Sequence, residues 1–300
     1  MKSYGFGIIG LGVMGQEMAE NLSAHPRFHV VAGFDPAKPA VPFSLLADAA
    51  AVVNDPRVEA IYTATPPAFH ESVVRLAVAA GKPLLCEKPL AHTIASARDC
   101  CDLIAKSKLP AAVNFSYAAR DVATRLTHVV KSGAIGEIKG VHLHVRFGSW
   151  PRKWQSGAGA WLAQPAEGGF TREVISHFVF LANRLFGSAK ITARTIERGS
   201  AGTETKLTAT IQYPSVAFTI DAGIGGNRDD DNRFAVTGTK GEVAIVDWSK
   251  FDYAGDAGTS LPPTSQLDAL ADMLDGKAHQ LATFPEGLAV AELIESLLAV

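Results

Sequence analysis

The chain has 300 residues, 47% of them apolar, with 28 Lys plus Arg against 30 Asp plus Glu. That length suits two domains of about 120 and 180 residues, and a near-neutral balance without a basic stripe argues against nucleic acid as the main partner. Cys86, Cys100 and Cys101 are too few and too badly spaced for a disulfide framework. No charged leader precedes the first apolar run, and none of the apolar runs reaches transmembrane length. The expectation is therefore a cytoplasmic protein with no membrane partner.

Tyr4–Ile9 is a short apolar run that predicts a strand, and Gly10-Leu11-Gly12-Val13-Met14-Gly15 follows it directly. Met18, Ala19 and Leu22 then recur at helical spacing to about residue 23. In such a strand–turn–helix unit Gly10 allows the tight turn, Gly12 lets backbone approach a pyrophosphate, and Gly15 lets helix and strand pack closely. The phosphates would meet the N–H groups around Val13 and Met14, where the helix macrodipole favours negative charge. A second predicted strand, Phe28–Phe34, ends at Asp35, where a dinucleotide-binding unit places an acid for the adenosine ribose hydroxyls. Aspartate there repels a 2′-phosphate, so NAD is favoured over NADP, with Lys38 as a nearby opposing charge. The plainer role for Asp35 is to form the turn before Pro36.

Pro36, Pro39 and Pro42 rule out a continuous helix after this strand, and a helix is expected over residues 44–53. A third strand over 58–64 closes at Thr65-Pro66-Pro67, and His70 enters a helix to about residue 80. Then comes Pro83-Leu84-Leu85-Cys86-Glu87-Lys88-Pro89, a buried strand with a carboxylate and an ammonium at its end. In an open parallel sheet the carboxyl ends of strands face the ligand crevice, so Lys88 would point to substrate. Taken alone, Glu87-Lys88 reads better as an exposed ion pair in a loop, and the rest of the chain has to decide. Thr93 is placed to cap a helix to about residue 106, and 111–114 is a fifth strand ending at Asn114. Strands alternating with helices predict a doubly wound parallel sheet over 1–117, leaving 118–300 as a second domain.

In the second half, Asp121–Lys131 reads as a helix stopped by Gly133, and Ile138–Phe147 alternates apolar and polar residues as a half-buried strand. His142 and His144 on its polar face lack a third ligand nearby, so no metal is expected. Residues 150–169 form a Gly-, Pro- and Trp-rich loop of the length often used as a functional lid. Arg152, Trp154 and Trp161 there are candidates to line a polar substrate pocket, or the Trp rings simply pin the loop to the core. Residues 170–186 predict a helix with Val174, Phe178, Leu181 and Leu185 on its apolar stripe. Glu173 and His177, four apart, would share a face. Short strands follow at 191–196, 207–213, 217–222, 234–237 and 243–246, separated by turn residues as in an antiparallel sheet. Asp229-Asp230-Asp231 reads as an acidic turn facing water, and two helices, at about 266–274 and 286–298, close the chain.

With GxGxxG at 10–15, Asp35 at a strand end, Thr65-Pro66 with His70, and Glu87-Lys88-Pro89, the chain resembles the glucose–fructose oxidoreductase / inositol dehydrogenase / MocA family. Residues 132–138 (SGAIGEI) and Gly238-Thr239-Lys240-Gly241 extend the resemblance through the second half. It implies an N-terminal Rossmann domain and a C-terminal α/β domain with a large, mostly antiparallel sheet that forms a homodimer or homotetramer interface. It also implies an NAD(P)-dependent oxidoreductase acting on a sugar, polyol or cyclitol. The implied cofactor set is Gly10, Gly12, Val13, Met14, Gly15, Asp35, Thr65, Pro66, His70, Glu87, Lys88 and Asn114. Lys88 and His177 would form the acid–base pair at the substrate hydroxyl. Glu173 stands where the family has aspartate, and Phe180 where it often has an acid. Two further readings stay open: an NAD-dependent hydrolase or lyase using transient oxidation, and a non-catalytic dinucleotide-binding regulator.

Overall fold

The computed structural model describes residues 2–157, 160–255 and 264–299. The chain forms two compact units. One runs up to Phe115 and regains Gln266–Ala289; the other holds Ser116–Ser265 and everything from Val290 on.

The first unit is built on six parallel strands: β1 (Tyr4–Ile9), β2 (Phe28–Phe34), β3 (Ser44–Leu45), β4 (Ala60–Thr63), β5 (Leu84–Cys86) and β6 (Ala111–Val113), in the order β3-β2-β1-β4-β5-β6. This is the doubly wound order, whose reversal beside β1 opens the crevice at the strands' carboxyl ends. The helices are α1 (Val13–Ala24), α2 (Ala49–Asn54), α3 (His70–Ala80) and α4 (Ile94–Ser107). The strands carry continuous apolar runs, with every residue of β1, β4 and β5 buried, because both faces are covered. Where one helix was expected over 44–53, Ser44 and Leu45 instead pair with Ala32 and Gly33 as an edge strand. The helix waits for Asp48, whose Oδ1 accepts the Ala51 N–H at 2.7 Å and fixes the start at Ala49, five residues later than expected. Thr93 does cap α4, its Oγ1 accepting the Ser96 N–H at 3.1 Å.

The second unit holds seven strands: β7 (Ile138–Phe147), β8 (Lys190–Arg198), β9 (Glu204–Gln212), β10 (Ala217–Ile224), β11 (Asp231–Gly238), β12 (Gly241–Val246) and β13 (Lys250–Tyr253), in the order β13-β12-β11-β7-β10-β9-β8. All neighbours are antiparallel except β7 with β10, which makes the sheet mixed. Val141, Leu143, Val145 and Phe147 point inward from β7, and His142 and His144 point to water, as the period-2 pattern requires. The inner face packs with α5 (Asp121–Lys131) and α6 (Ser176–Phe186). The first seven residues of α6, through Ala182, are buried on every side, so it is the central helix of this unit. The expected helix over 170–186 is two pieces: a π-helical turn, Thr171–Ile175, and then α6.

The tail forms α7 (Gln266–Leu274) and α8 (Phe284–Leu298). Residues 266–289 belong to the first unit and not, as a single cut after 117 would have it, to the second. The ties are specific. Tyr4 Oη donates to Asp275 at 2.9 Å, Arg27 pairs with Asp275 at 2.7 Å, and the Val113 N–H donates to the Ala282 carbonyl at 2.8 Å.

Candidate functional site

The glycine turn is shaped by contact. Gly10 has φ +89°, and a Cβ there would lie 2.6 Å from the Thr65 nitrogen, so the turns after β1 and β4 pack backbone to backbone. A Cβ on Gly15 would run into the Gly10 carbonyl oxygen, which is the close helix–strand packing expected of that position. At Gly12 the opposite holds, since a Cβ would meet nothing within 4 Å. The amino end of α1 has no side-chain cap and no acid in its first turn. Open space beside a helix end without an acid suits a pyrophosphate. Val13 is half-buried and Met14 40% exposed at this end. Asp35 closes the cradle: its Oδ2 accepts the Leu11 N–H at 2.7 Å and its Oδ1 the Ala37 N–H at 2.8 Å. It is thus both turn former and clamp on the glycine loop, and each carboxylate oxygen keeps a second lone pair for a ribose hydroxyl.

At the end of β5, Glu87 is 6% exposed and organises a polar cluster. Its Oε1 accepts from Tyr62 Oη and from Asn114 Nδ2, both at 2.6 Å, and its Oε2 accepts the Lys88 N–H at 3.2 Å. Gln266 Nε2 completes the chain by donating to Asn114 Oδ1 at 3.0 Å and to the Phe115 carbonyl at 3.2 Å. Burial pushes the Glu87 carboxyl above its ordinary range, against the opposing pull of the Lys88 charge and the Tyr62 and Asn114 hydrogen bonds. Burial and the neighbouring Glu87 likewise push the Tyr62 hydroxyl up, so it stays a donor. Lys88 itself is half-buried at the strand's carboxyl end.

Two residues from the expected cofactor set are also hydrogen-bonded within the protein. His70 is fully buried, with Nδ1 2.9 Å from the Pro89 carbonyl oxygen and Nε2 2.9 Å from that of Thr65. Burial pushes its imidazole down, against the opposing pull of the carbonyl oxygens of the turns after β4 and β5 between which the ring lies. Asn114 spends its side-chain amide on Glu87 and Gln266. Thr65 and Pro66 are half-buried on the turn that His70 holds.

In the second unit, His177 is 6% exposed on the first turn of α6. Its Nδ1 accepts the Ser116 N–H at 3.3 Å, which puts the neutral ring's proton on Nε2. Two perpendicular rings flank it, Tyr117 at 6.5 Å and Trp248 at 5.6 Å. Glu173, 8% exposed, sits in the π-helical turn that leads into α6. Phe180 is buried, with the Arg184 guanidinium 4.5 Å from its ring centroid. The amino end of this helix is set by a residue that sequence reading missed. Glu204 on β9 is 1% exposed, and its Oε1 accepts the Thr171 N–H at 2.6 Å. Gly169, at φ +97°, must be glycine because a Cβ would lie 2.5 Å from the Glu204 carboxylate. The signal available was Gly168-Gly169 with no capping side chain, which means the cap must come from elsewhere.

Arg152, expected at a substrate pocket, is 7% exposed and committed to the protein. Its Nη1 donates to Asp230 Oδ2 at 2.6 Å and its Nε to Gln155 Oε1 at 3.0 Å, with the guanidinium 4.6 Å from the Trp154 ring centroid. Trp154 is 48% exposed and covers this pair. Trp161 is half-buried in the next 3-10 turn, Ala160–Ala163. Among the described residues of 150–169, Lys153–Gly157 and Ala160–Ala163 are short 3-10 turns, and the Trp150 indole donates to the Leu162 carbonyl at 3.1 Å. The acidic turn is corrected too. Asp230 does not simply face water; it also accepts from Trp248 Nε1 at 2.7 Å and Asn232 Nδ2 at 3.0 Å. Among the described residues no group of three or more His, Cys, Asp or Glu is placed to hold a metal ion.

A doubly wound sheet with a glycine cradle, joined in one chain to a seven-stranded mixed sheet, defines a dinucleotide-binding protein with a second, substrate-type domain. The description "Oxidoreductase family, NAD-binding Rossmann fold" matches residues 4–115, and the "GFO/IDH/MocA C-terminal domain" matches 123–244. The chain belongs to the Gfo/Idh/MocA oxidoreductase family. It is 26% identical to the levoglucosan dehydrogenase of Pseudarthrobacter phenanthrenivorans over 208 residues, 62% of this chain and 52% of that one. It is 40% identical to the inositol 2-dehydrogenase of Pseudomonas fluorescens over 91 residues, 30% of this chain and 27% of that one. These matches span about half or less of the relatives' length. The WlbA dehydrogenase of Bordetella pertussis, solved in complex with NADH and UDP-GlcNAcA, has the same fold, with TM-score 0.82, 17% identity, and coverage of 99% of this chain and 95% of that one.

Proposed function

We propose that this protein is an NAD-dependent oxidoreductase that moves a hydride between the nicotinamide and a secondary alcohol or ketone of a sugar, polyol or cyclitol. The observation that carries the reading is the Tyr62–Glu87–Asn114–Gln266 cluster, which fixes the Lys88 backbone at the carboxyl end of β5. Curated relatives that act on inositol and levoglucosan support the substrate class. The dinucleotide would be held by Gly10, Gly12, Val13, Met14 and Gly15 at its phosphates and by Asp35 at its ribose, with Thr65, Pro66, Glu87 and Lys88 beside it. When bound, its nicotinamide supplies the hydride acceptor or donor. The carboxylate at Asp35 disfavours a 2′-phosphate and so favours NAD over NADP.

For alcohol oxidation, Lys88 takes the hydroxyl proton, and His177, with its proton on Nε2, donates a hydrogen bond to the same oxygen; reduction reverses the roles. Glu173 serves as the family's acid on the turn before His177. The outward polar face of the C-terminal sheet is proposed as the surface for a homodimer or homotetramer, checked by light scattering. A cytoplasmic location is proposed on the cysteine usage, since Cys86, Cys100 and Cys101 are too few and too badly spaced for a disulfide framework.

The test is a screen of sugars and cyclitols with NAD and NADP side by side, followed by Lys88→Ala on the substrate found. Turnover should fall about 10²- to 10⁴-fold, while calorimetric NAD binding persists. Wild-type turnover in Lys88→Ala would overturn the mechanism. Product formed with catalytic NAD and no net NADH would move the chain to the hydrolase or lyase reading.

A further inference from the structure

Gln266 opens α7, in the stretch of the tail that rejoins the first unit. Its Nε2 donates to the Phe115 carbonyl at 3.2 Å and to Asn114 Oδ1 at 3.0 Å. A backbone carbonyl can only accept, so the Gln266 atom facing it must be the amide nitrogen. That settles the next amide as well. Asn114 turns its oxygen to Gln266, so its nitrogen faces Glu87, where Nδ2 donates to Oε1 at 2.6 Å. Tyr62 Oη donates to the same oxygen, also at 2.6 Å. One fixed acceptor, the Phe115 carbonyl, thus dictates that two donors converge on Glu87 Oε1. The orientation carries a cost, since Gln266 Oε1 is buried with no hydrogen-bond partner among the described residues. Turning the amide over would be worse, because it would set this oxygen against the Phe115 carbonyl and Asn114 Oδ1. Every one of these residues lies in the first unit.

We infer that Gln266 is a positioning residue for the Glu87-Lys88 turn: its amide, held by the Phe115 carbonyl, orients Asn114 so that a donor and not an acceptor faces Glu87, which is thereby kept as a carboxylate next to Lys88. The inference rests on the proposed role of Lys88 as proton acceptor at the substrate hydroxyl. A carboxylate beside that amine raises its proton affinity, and a protonated Glu87 would not. Without the Gln266 amide, Asn114 can present either end. Its Nδ2 would still meet an ionised Glu87, but its Oδ1 could now accept from a protonated one, so protonation becomes easier. Burial already favours that protonation. Among the described residues, the charged or titratable groups that face Glu87 are Lys88 next to it, Tyr62 from β4 and the Cys86 thiol on β5. The return of the tail to the first unit therefore does more than close the fold. It delivers the amide that sets the direction of the cluster.

The measurement is a ¹³C NMR titration of the glutamate side-chain carboxyls in the full chain, without substrate or cofactor. The Glu87 signal is assigned by its loss in Glu87→Gln. Gln266→Met keeps the length of the side chain without its donors, and the Glu87 midpoint should rise by about 0.5–1 pH unit. Gln266→Lys, whose ammonium can donate to both the Phe115 carbonyl and Asn114 Oδ1, should hold the midpoint at or below the wild-type value. Asn114→Ala cuts the relay itself and should raise the midpoint; adding Gln266→Met to it should bring no further rise. If Gln266→Met is not folded by circular dichroism, Gln266→Leu replaces it with the same expectation. A folded Met or Leu variant with the wild-type midpoint overturns the inference, and so does a rise that adds in full to that of Asn114→Ala. Since no turnover is read, this outcome is independent of whether Lys88→Ala upholds the proposed reaction.

Discussion

Two carboxylates, buried Glu87 in one unit and half-buried Asp230 in the other, are satisfied in opposite ways. Glu87 is surrounded by neutral donors: a phenol, a side-chain amide and the Lys88 backbone N–H. Asp230 is met by a guanidinium, then by an indole N–H and an amide. A carboxylate held by neutral donors keeps a cost of burial that hydrogen bonds only partly offset, so its protonation is pushed up. One held by arginine is a closed ion pair, whose weakness is the loss of either partner. In the first arrangement the Lys88 charge is the largest pull opposing the burial of Glu87. The second makes a rigid buttress for the Trp248 turn.

The largest break in this comparison should come from the ion pair. Arg152→Met removes the cation from an Asp230 whose side chain is only 19% exposed, and stability should fall by about 3–5 kcal/mol in urea unfolding. Adding Asp230→Asn should recover part of that loss, because the charge no longer needs a partner. If Arg152→Met costs no more than an exposed pair would, under about 1 kcal/mol, Asp230 is not a hub and the contrast with Glu87 fails. Next in size is Tyr62→Phe, which deletes one donor from Glu87 in a fully buried place. A hydrogen bond to a charged group is worth about 1.5–3 kcal/mol, and the same unfolding experiment should show a loss in that range.

The contrast also explains what was legible in the chain. The place of Lys88 just past a buried strand was readable because its signals are local: an apolar run, a glycine before it and a proline after it. The β1–α1 unit, α5 and β7 came out with the expected limits for the same reason, since each is set by periodicity and neighbouring turn residues. Asp230 was misread as a water-facing acid because its partner, Arg152, is 78 residues away in the chain, and nothing near either residue announces the pair. The π-helical turn before His177 was invisible for a similar reason, as its amino end is fixed by Glu204, 33 residues further on. The return of residues 266–289 to the first unit depends on Tyr4 and Arg27, at the opposite end of the sequence. Apolar periodicity locates helices well, but it cannot tell which unit a helix joins.

The smallest effect expected is a slope, and it isolates the neutral-donor side of the comparison. Burial raises the folded-state protonation of Glu87 above its unfolded value, the largest cause opposing ionisation. The native chain therefore holds this proton more tightly than the unfolded chain. The contribution of the protonated carboxyl is fully present below the ordinary glutamate range near pH 4.5 and is lost as pH rises through the raised folded value. Glu87→Gln cannot ionise and has no such dependence. Whatever fixed offset the amide brings by facing the Lys88 N–H with a donor, the stability difference between wild type and Glu87→Gln should shift steadily against the wild type as pH climbs from about 4.5. Urea midpoints for the two proteins, measured at matched ionic strength across that interval, give the slope directly. A flat difference would mean that Tyr62, Asn114 and the Lys88 charge together cancel the burial cost, and an opposite slope would mean that they exceed it. In either case Glu87 would behave like Asp230, and the neutral cluster beside Lys88 would be electrostatically equivalent to the Arg152–Asp230 ion pair.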